Sequence, residues 1–193
     1  MTTILLVRHG ETDWNRDNRF QGHADPPLND RGRDQARELA ARLADRGVDA
    51  VFTSPLRRAR ETAEIIGGAL ALHVAAHEGL REVDVGEWQG LTRDEIAKRY
   101  PEAFARWLDY GHGWERGETY EEMAERALWA VHEISSAFPR GRVVVVTHGG
   151  PVRALFANAE GITHAEARRR TSVIANCGVA SFAVEDGTLR AVD

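Results

Sequence analysis

The chain has 193 residues, of which 42% are hydrophobic and 28% are charged, and its formal net charge is −5. This composition is typical of a globular protein and excludes a disordered, fibrous or membrane-embedded class. The negative charge argues against an extended nucleic-acid surface, whose affinity comes largely from a basic face. The single cysteine, Cys177, excludes an internal disulfide framework and cysteine-based zinc sites.

The length and the apolar runs indicate one domain and no membrane span. A chain of this size fits a single core, so we expect residues 1–193 to form one domain. The longest apolar runs, residues 4–7 and 143–146, are far shorter than the ~20 residues that span a bilayer. The N-terminus shows no secretory signal, so we expect a cytoplasmic location.

The first half of the chain alternates predicted strands and helices. Residues 3–7 form an apolar β-rich run, and a helix capped by Asn29 or Asp30 follows with Gly47 as its stop. Residues 49–55 predict a second strand, and residues 56–72 predict a second helix. A β-α-β-α order favours a parallel sheet with helices on its faces.

The second half predicts a helical cap and two further β segments. After a short strand near residue 73 and a glycine-punctuated loop to residue 90, the pattern predicts three helices between residues 92 and 138. We expect these helices to form a cap beside the sheet. The remaining predicted elements are a buried strand at 142–147, a helix at 151–160 and a β segment at 179–184. The predicted fold is a three-layer α/β sandwich with a central, mostly parallel sheet.

Two of the predicted strands end in the same way, with a histidine followed by glycine. His9 and Gly10 follow the first strand, and His148 and Gly149 follow the strand at 142–147. Ligands in open α/β sheets bind beyond the carboxyl ends of the strands, so both histidines should face one crevice. Glycine lets the backbone approach a ligand, and a following helix start offers N–H groups to an anion. This edge of the sheet therefore suits a phosphate group.

His9 is the candidate nucleophile, since neutral imidazole can accept phosphorus when a hydrogen bond fixes its tautomer. Phosphoryl transfer also needs positive donors around the phosphate oxygens, and the planar fork of arginine suits this task. Arg8 and Arg58 are the candidates. The neighbours Arg57 and Arg60 leave the choice of Arg58 open.

Glu82 is the candidate general acid and base. The leaving alkoxide needs a proton and the later water needs a base, and one carboxyl group can serve both steps. Glu82 precedes a glycine-rich loop at residues 86–90 that can bring it over the phosphate. Glu78, Asp84 and Glu87 remain alternatives.

Four sequence blocks together carry a family resemblance. Leu6 to Asn15 read LVRHGETDWN, residues 54–59 read SPLRRA, Glu82 precedes Gly86, Trp88 and Gly90, and residues 146–149 read VTHG. In this order the blocks resemble those of the histidine phosphatase superfamily, also called the phosphoglycerate mutase-like family, over roughly residues 4–153. The resemblance implies phosphohistidine at His9, phosphate binding by Arg8, Arg58 and His148, and proton transfer by Glu82. It further implies that Asn15, Gln21 and Gly22 line the same pocket.

These observations predict a phosphatase that hydrolyses a small phosphomonoester, with a phosphorylated metabolite as its partner and neither nucleic acid nor membrane. We expect no metal ion or cofactor, because Arg8, Arg58 and His148 supply the positive charge. A phosphoglycerate mutase is the rival, although Gln21 stands where mutases usually have a hydroxyl residue. A non-catalytic phospholigand-binding protein is a weaker alternative, and a homodimer stays open.

We also make predictions for two groups of residues outside the four blocks, the tryptophans and an arginine run. Trp107 and Trp129 lie on predicted helices and should pack, whereas Trp14, Trp88 and Trp114 lie in loops near the proposed pocket mouth. The run at residues 168–170 consists of three arginines, and a short charge run is typical of a solvated helix face.

Overall fold

A six-stranded sheet forms the centre of the computed structural model, which describes residues 1–192. The strand order is β3-β2-β4-β1-β5-β6. β1 is parallel to β4, β4 to β2 and β2 to β3, whereas β5 and β6 are antiparallel to their neighbours. The strands are β1 (Thr2–Arg8), β2 (Ala50–Thr53), β3 (Val74–Ala76), β4 (Arg142–Thr147), β5 (Val179–Glu185) and β6 (Thr188–Val192). The predicted, mostly parallel sheet is confirmed.

Both faces of the central strands are buried because their side chains alternate between two helical layers. On one face, Ile4, Leu6, Val143 and Val145 pack with apolar residues of α6 (Tyr120–Ala137) and α7 (Gly149–Ala159). On the other face, the alternate residues of β1 and β4 pack with α2 (Asp30–Leu43) and α3 (Arg57–Leu70). The predicted three-layer arrangement is therefore confirmed.

Local capping accounts for several helix starts. The side chain of Asn29 accepts a hydrogen bond from the Gly32 N–H and begins α2, and Thr119 forms a capping box with Glu122 at the start of α6. The shorter helices are α1 (Asp13–Arg16), α4 (Arg93–Arg99), α5 (Pro101–Leu108) and α8 (His164–Arg170). The sequence patterns did not predict α1, α8 or β6, and α7 begins two residues before its predicted start.

The region predicted as one helical cap, residues 92–138, contains two packing environments. α4 and α5 join an aromatic cluster around the fully buried Trp88. α6 instead buries Ala127, Val131 and Ile134 against the sheet, so it forms part of a helical layer. Among residues 1–192, no helix combines the length and apolarity needed to cross a bilayer.

Candidate active site

The parallel pairing of β1, β4 and β2 brings three polar side chains to one edge of the sheet. His9 follows β1, His148 follows β4 and Ser54 follows β2. The backbone N–H of His9 donates to the Thr147 carbonyl at 3.0 Å. The imidazole rings of His9 and His148 lie 5.2 Å apart between centroids, so the two histidines are neighbours at this edge of the sheet.

His9 is held in one orientation and one tautomer. Its side chain is buried, and Nδ1 lies 2.7 Å from the Gly10 carbonyl oxygen. Because a carbonyl only accepts, Nδ1 must carry the proton, which leaves the lone pair on Nε2. Burial, reinforced by the charges of Arg58 and Arg8, lowers the pKa of His9 well below its usual value. His9 is therefore a neutral imidazole with Nε2 free for reaction.

A cavity of about 450 Å³ opens beside His9, a size common among small-molecule sites. Its wall includes most of the residues singled out by the sequence: Arg8, His9, Asn15, Gln21, Gly22, Arg58 and Glu82. His148 is the exception, because it is fully buried and is not part of the wall. The sequence therefore identified residues of one wall of this cavity. His148 lies behind that wall, next to the His9 ring.

His148 lies in a short hydrogen-bonded chain. Its Nε2 is 2.8 Å from the Ser54 hydroxyl oxygen, and that oxygen accepts from the Leu56 N–H at 3.3 Å. The Ser54 hydroxyl can donate to Nε2 or accept a second hydrogen bond from it, so the contact fits either tautomer of His148. Nδ1 is buried without a partner among residues 1–192. Burial and the nearby charge of Arg58 lower the pKa of His148 well below its usual value.

Of the three neighbouring arginines at the start of α3, only Arg58 reaches the cavity. Its Nη1 and Nη2 donate to the carbonyls of Ala24 and Gly22 at 2.8 Å each, and its Nε has no partner among residues 1–192. Burial lowers the pKa of Arg58 to about 10, so the group stays charged at neutral pH. Arg57 and Arg60 point outward to Glu61 and Glu64.

Arg8 contributes a second guanidinium to the same wall. Its Nη1 donates to the Ile174 carbonyl at 2.8 Å, while its Nε is buried without a partner in the described chain. Burial lowers the pKa of Arg8, and the charge of Glu82 opposes this shift. Neither Arg8 nor Arg58 forms an ion pair within residues 1–192. A buried cation that lacks a carboxylate partner favours an anionic ligand.

Glu82 is the acidic residue on the cavity wall. Its carboxylate accepts from the N–H of Val83 at 2.9 Å and from the N–H of Gly150 at 3.2 Å, at the start of α7. The alternative carboxylates have other partners. Glu78 pairs with Arg81, Asp84 accepts from the Gly86 N–H, and Glu87 accepts from the N–H groups of Glu115 and Arg116.

The three predicted substrate-binding residues form the loop side of the cavity. Asn15 Oδ1 accepts from the Thr12 N–H at 3.1 Å, and Gln21 Oε1 accepts from the Thr12 hydroxyl at 3.2 Å. Gly22 has φ +50°, and a Cβ there would lie 2.8 Å from Val85 Cγ2. Glycine is required at this position for its backbone conformation and for the close approach. The roles of all three toward a substrate stay predictions.

Several cavity residues escaped the sequence interpretation. Trp107 packs in the aromatic cluster, as expected, but it also lines the cavity together with Trp14 and Trp114, whereas Trp88 is fully buried. Trp129, also expected to pack, is 63% exposed. Arg168, expected on a solvated face, lines the cavity beside Arg153. Arg153 lies one helical turn after the VTHG block, and this position could have identified it from the sequence as a cavity residue.

The described residues contain no cluster of three or more histidine, cysteine, aspartate or glutamate side chains placed to hold a metal ion. The cavity wall carries arginine side chains that could bind an anion, among them Arg8 and Arg58. Cys177 is buried in the core beneath β1, and its burial raises the pKa of the thiol to about 12. This cysteine is therefore an unreactive packing residue.

Similar proteins carry phosphatase and mutase-like names. The chain is 38% identical over 192 residues to "Phosphoglycerate mutase-like protein 4" of Arabidopsis thaliana, covering 95% of this chain and 80% of that protein. It is 35% identical over 164 residues to "Phosphoserine phosphatase 1" of Hydrogenobacter thermophilus, covering 84% of this chain and 78% of that protein.

A solved structure shares the complete fold. "Bacillus stearothermophilus YhfR" superimposes with a TM-score of 0.93 at 34% identity, covering 100% of this chain and 96% of that one. The family model described as "Histidine phosphatase superfamily (branch 1)" matches residues 4–193. With its paired strand-end histidines, its arginine-lined cavity and a family match over nearly its whole length, the chain belongs to the histidine phosphatase superfamily.

Proposed function

We propose that this protein hydrolyses a small phosphomonoester in two steps through a phosphohistidine on His9. The observation that carries the proposal is the bond between His9 Nδ1 and the Gly10 carbonyl. This bond leaves the Nε2 lone pair on a neutral ring at the cavity wall. An imidazole nitrogen that has no protein partner and faces an anion-binding cavity is placed as a nucleophile requires.

In the first step, Arg8 and Arg58 bind the phosphate oxygens through the guanidinium nitrogens that have no protein partner. His148 lies behind the His9 ring and supports it from outside the cavity wall. Nε2 of His9 attacks phosphorus, the bond to the ester oxygen breaks, and Glu82 in its protonated form gives that oxygen its proton and becomes a carboxylate. The products are the free alcohol and phosphorylated His9.

In the second step, Glu82 accepts a proton from a water molecule as the water oxygen attacks phosphorus. The bond from phosphorus to Nε2 breaks, inorganic phosphate leaves, and His9 returns to its neutral form. The Gly150 N–H fixes the carboxylate for both proton transfers. We further propose that no metal ion takes part, because the two guanidinium groups supply the positive charge. Activity retained in excess EDTA is the expected result.

The rival activity is transfer of the phosphoryl group to a second hydroxyl, as in a phosphoglycerate mutase. The mutase-like name of the Arabidopsis relative supports this rival, and so does the resemblance of Asn15, Asn18, Phe20 and Gly22 to the corresponding loop of the mutases. The intact set of His9, Glu82 and His148 argues against a non-catalytic ligand-binding protein. The products separate the activities, since a phosphatase releases inorganic phosphate and a mutase yields 2-phosphoglycerate from 3-phosphoglycerate.

Rapid-quench labelling with a ³²P-phosphomonoester tests the proposal. We expect an acid-labile, base-stable phosphoenzyme in the wild-type protein and none in His9→Ala. His112→Ala removes an exposed histidine outside the cavity and should label like the wild type. Label retained by His9→Ala would overturn the assignment.

The cellular location and the oligomeric state also remain proposals. A cytoplasmic location is supported by the use of a single cysteine, which is typical of reducing compartments. A homodimer is tested by light scattering coupled to size-exclusion chromatography, in which a mass near 21.4 kDa would indicate a monomer.

A further inference from the structure

The peptide group that joins His9 to Gly10 is hydrogen-bonded to a side chain at each end. Its carbonyl oxygen accepts from Asn176 Nδ2 at 2.9 Å, and its N–H donates to Thr62 Oγ1 at 3.0 Å. Thr62 is fully buried, so its bond is shielded from solvent. Rotation of this peptide group would therefore leave a buried N–H without an acceptor, which is costly.

The next peptide group joins Gly10 to Glu11 and carries the carbonyl that accepts from His9 Nδ1 at 2.7 Å. The N–H at its other end donates to Gln35 Oε1 on α2 at 2.9 Å. Because a peptide group is planar, the bond to Gln35 sets the direction in which the Gly10 carbonyl points. That direction keeps the ring proton of His9 on Nδ1.

The Thr62 hydroxyl has a defined direction. It lies 2.7 Å from the Arg58 carbonyl oxygen, and a carbonyl only accepts, so the hydroxyl proton points to Arg58. Oγ1 is thus the acceptor for the Gly10 N–H. Thr62 and Arg58 lie one turn apart on α3. One helix therefore carries both Arg58, at the phosphate end of the cavity, and the acceptor that orients the backbone beside His9.

Backbone packing brings α2 into direct contact with the same loop. A Cβ atom at Gly10 would lie 2.5 Å from the Gly32 carbonyl oxygen, and a Cβ atom at Gly32 would overlap the Glu11 carbonyl oxygen. Glycine at both positions permits this approach. Gln35 follows Gly32 by about one helical turn, which places its side chain within reach of the Glu11 N–H.

We propose that Thr62 and Gln35 are positioning residues that fix the tautomer of His9 by orienting the Gly10 carbonyl, so that the reactive lone pair stays on Nε2. The inference rests on the proposed function for the reaction that Nε2 performs. Neither Thr62 nor Gln35 is part of the cavity wall. Asn176 makes the third bond to this loop but also lines the cavity, so its replacement would not separate positioning from substrate binding.

NMR spectroscopy of protein labelled with ¹⁵N-histidine tests the inference, because the nitrogen shifts distinguish a protonated from an unprotonated ring nitrogen. The wild type should show His9 with its proton on Nδ1, and the spectrum of His9→Ala identifies the His9 signals. Thr62→Val keeps the shape of the side chain but loses the hydroxyl, and Gln35→Met loses the acceptor. Both should give a mixture of His9 tautomers. Thr62→Ser and Gln35→Glu keep an acceptor oxygen and should restore the wild-type spectrum.

Kinetics connect the tautomer to the reaction. Thr62→Val and Gln35→Met should slow phosphorylation of His9 by roughly 10- to 100-fold, since a buried N–H without a partner destabilises the bonded arrangement of the loop. Affinity for inorganic phosphate, measured by calorimetry, should stay near that of the wild type, because the guanidinium groups of Arg8 and Arg58 are unchanged. A general collapse of the pocket would instead weaken both.

Thr171→Val is the matched control. The Thr171 hydroxyl donates to the Ala167 carbonyl, four residues earlier, at 2.8 Å, as Thr62 does on α3, but it lies outside the cavity wall. This variant should leave the His9 spectrum and the phosphorylation rate unchanged. If Thr62→Val does not fold, the two variants of the half-buried Gln35 decide the test.

The outcomes separate this inference from the proposed function. A wild-type His9 spectrum in Gln35→Met and in folded Thr62→Val would overturn the positioning role, even if both variants lose activity. The expected tautomer changes in a protein that forms no phosphoenzyme would overturn the proposed function alone. A proton on Nε2 of His9 in the wild type would contradict both proposals.

Discussion

The carboxylate of Glu82 accepts hydrogen bonds from the backbone N–H of Gly150, at 3.2 Å to Oε1 and 3.3 Å to Oε2. A Cβ atom at Gly150 would lie only 2.2 Å from Oε1 and 2.9 Å from the sulfur of Met123. The loop that carries Glu82 and the start of α7 therefore meet at a residue without a side chain. This contact positions the proposed acid relative to the histidine at the end of β4.

Gly150→Ala should displace Glu82 while leaving the fold intact, because the atoms in the way are the ends of flexible side chains. We expect kcat for an alkyl phosphate to fall by roughly 10²-fold, the lower end of what general acid catalysis contributes. Steady-state kinetics measure the effect. Gly68→Ala is the control, since a Cβ there meets nothing within 4 Å on an exposed turn of α3. Full activity in Gly150→Ala would show that this contact does not position the acid.

The sequence predicted the centre of this fold well because the signal there is local. The apolar runs of β1 and β4 and the periodicity of α2 and α3 are visible within short windows. β6 carries one buried residue, Leu189, and so shows no apolar alternation. α8 is short, although its capping box, Thr163 with Glu166, is readable in the sequence.

The phosphate end of the cavity was predictable because parallel strands end at one edge, and this brings His9 and His148 together. The part of the cavity that Arg168 lines was not predictable from the sequence. Whether Arg168 faces solvent or the cavity depends on how α8 docks beside Trp107 and Tyr120, which are distant in sequence. The choice of Arg58 over Arg57 similarly depends on which face of α3 meets the carbonyls of Gly22 and Ala24.

Arg126 stabilises the turn that precedes the glycine-rich loop, and its replacement should lower the free energy of unfolding. Its guanidinium donates to the carbonyls of Gly79, Arg81 and Glu82 at 2.7 to 2.9 Å and pairs with the largely buried Glu118. We expect Arg126→Gln to lower the free energy of unfolding by about 3 kcal/mol, because the carboxylate loses its partner in a buried setting.

Urea denaturation compares this variant with Arg37→Gln. Arg37 forms an exposed ion pair with Asp34, which should contribute less than about 1 kcal/mol. Comparable small losses in the two variants would show that the three carbonyl contacts of Arg126 do not stabilise the turn.

Acid should destabilise the protein through its buried histidines. Burial keeps His9 and His148 neutral, whereas an unfolded histidine takes up a proton near its ordinary pKa of 6.5. Below about pH 6.5 the unfolded state therefore binds more protons. The free energy of unfolding should fall with decreasing pH, by at most about 1.4 kcal/mol per pH unit for each histidine. Above that pH this contribution is fully present.

Urea denaturation at a series of pH values between about 7.5 and 5 measures this slope. His9→Ala should show a shallower decline than the wild type, because burial lowers the pKa of three histidines, His9, His148 and His164, and one of them is gone. The exposed His112 supplies the control, and His112→Ala should follow the wild-type curve. A slope for His9→Ala equal to that of the wild type would mean that His9 is not held neutral by the fold.

Glu82→Gln separates proton transfer from pocket architecture, because glutamine can keep the shape of the side chain but cannot donate or accept the catalytic proton. With a sugar or alkyl phosphate, the departing oxygen is a poor leaving group that needs a proton as its bond to phosphorus breaks. Phosphorylation of His9 should therefore slow by roughly 10²–10⁴-fold. With p-nitrophenyl phosphate the phenolate leaves more readily, and the loss in phosphorylation should be smaller.

The same substitution removes the base for the second step, so attack of water on phosphohistidine can become rate-limiting with p-nitrophenyl phosphate. Phosphorylated His9 should then accumulate, and rapid-quench labelling measures it. Asp84→Asn is the matched control, because Asp84 follows two residues later and bonds to the Gly86 N–H outside the cavity wall. An equal loss for both substrates in Glu82→Gln would indicate a positioning role, since only a proton donor is sensitive to the pKa of the leaving group. No loss for either substrate would move the proton-transfer role to Glu78, Asp84 or Glu87.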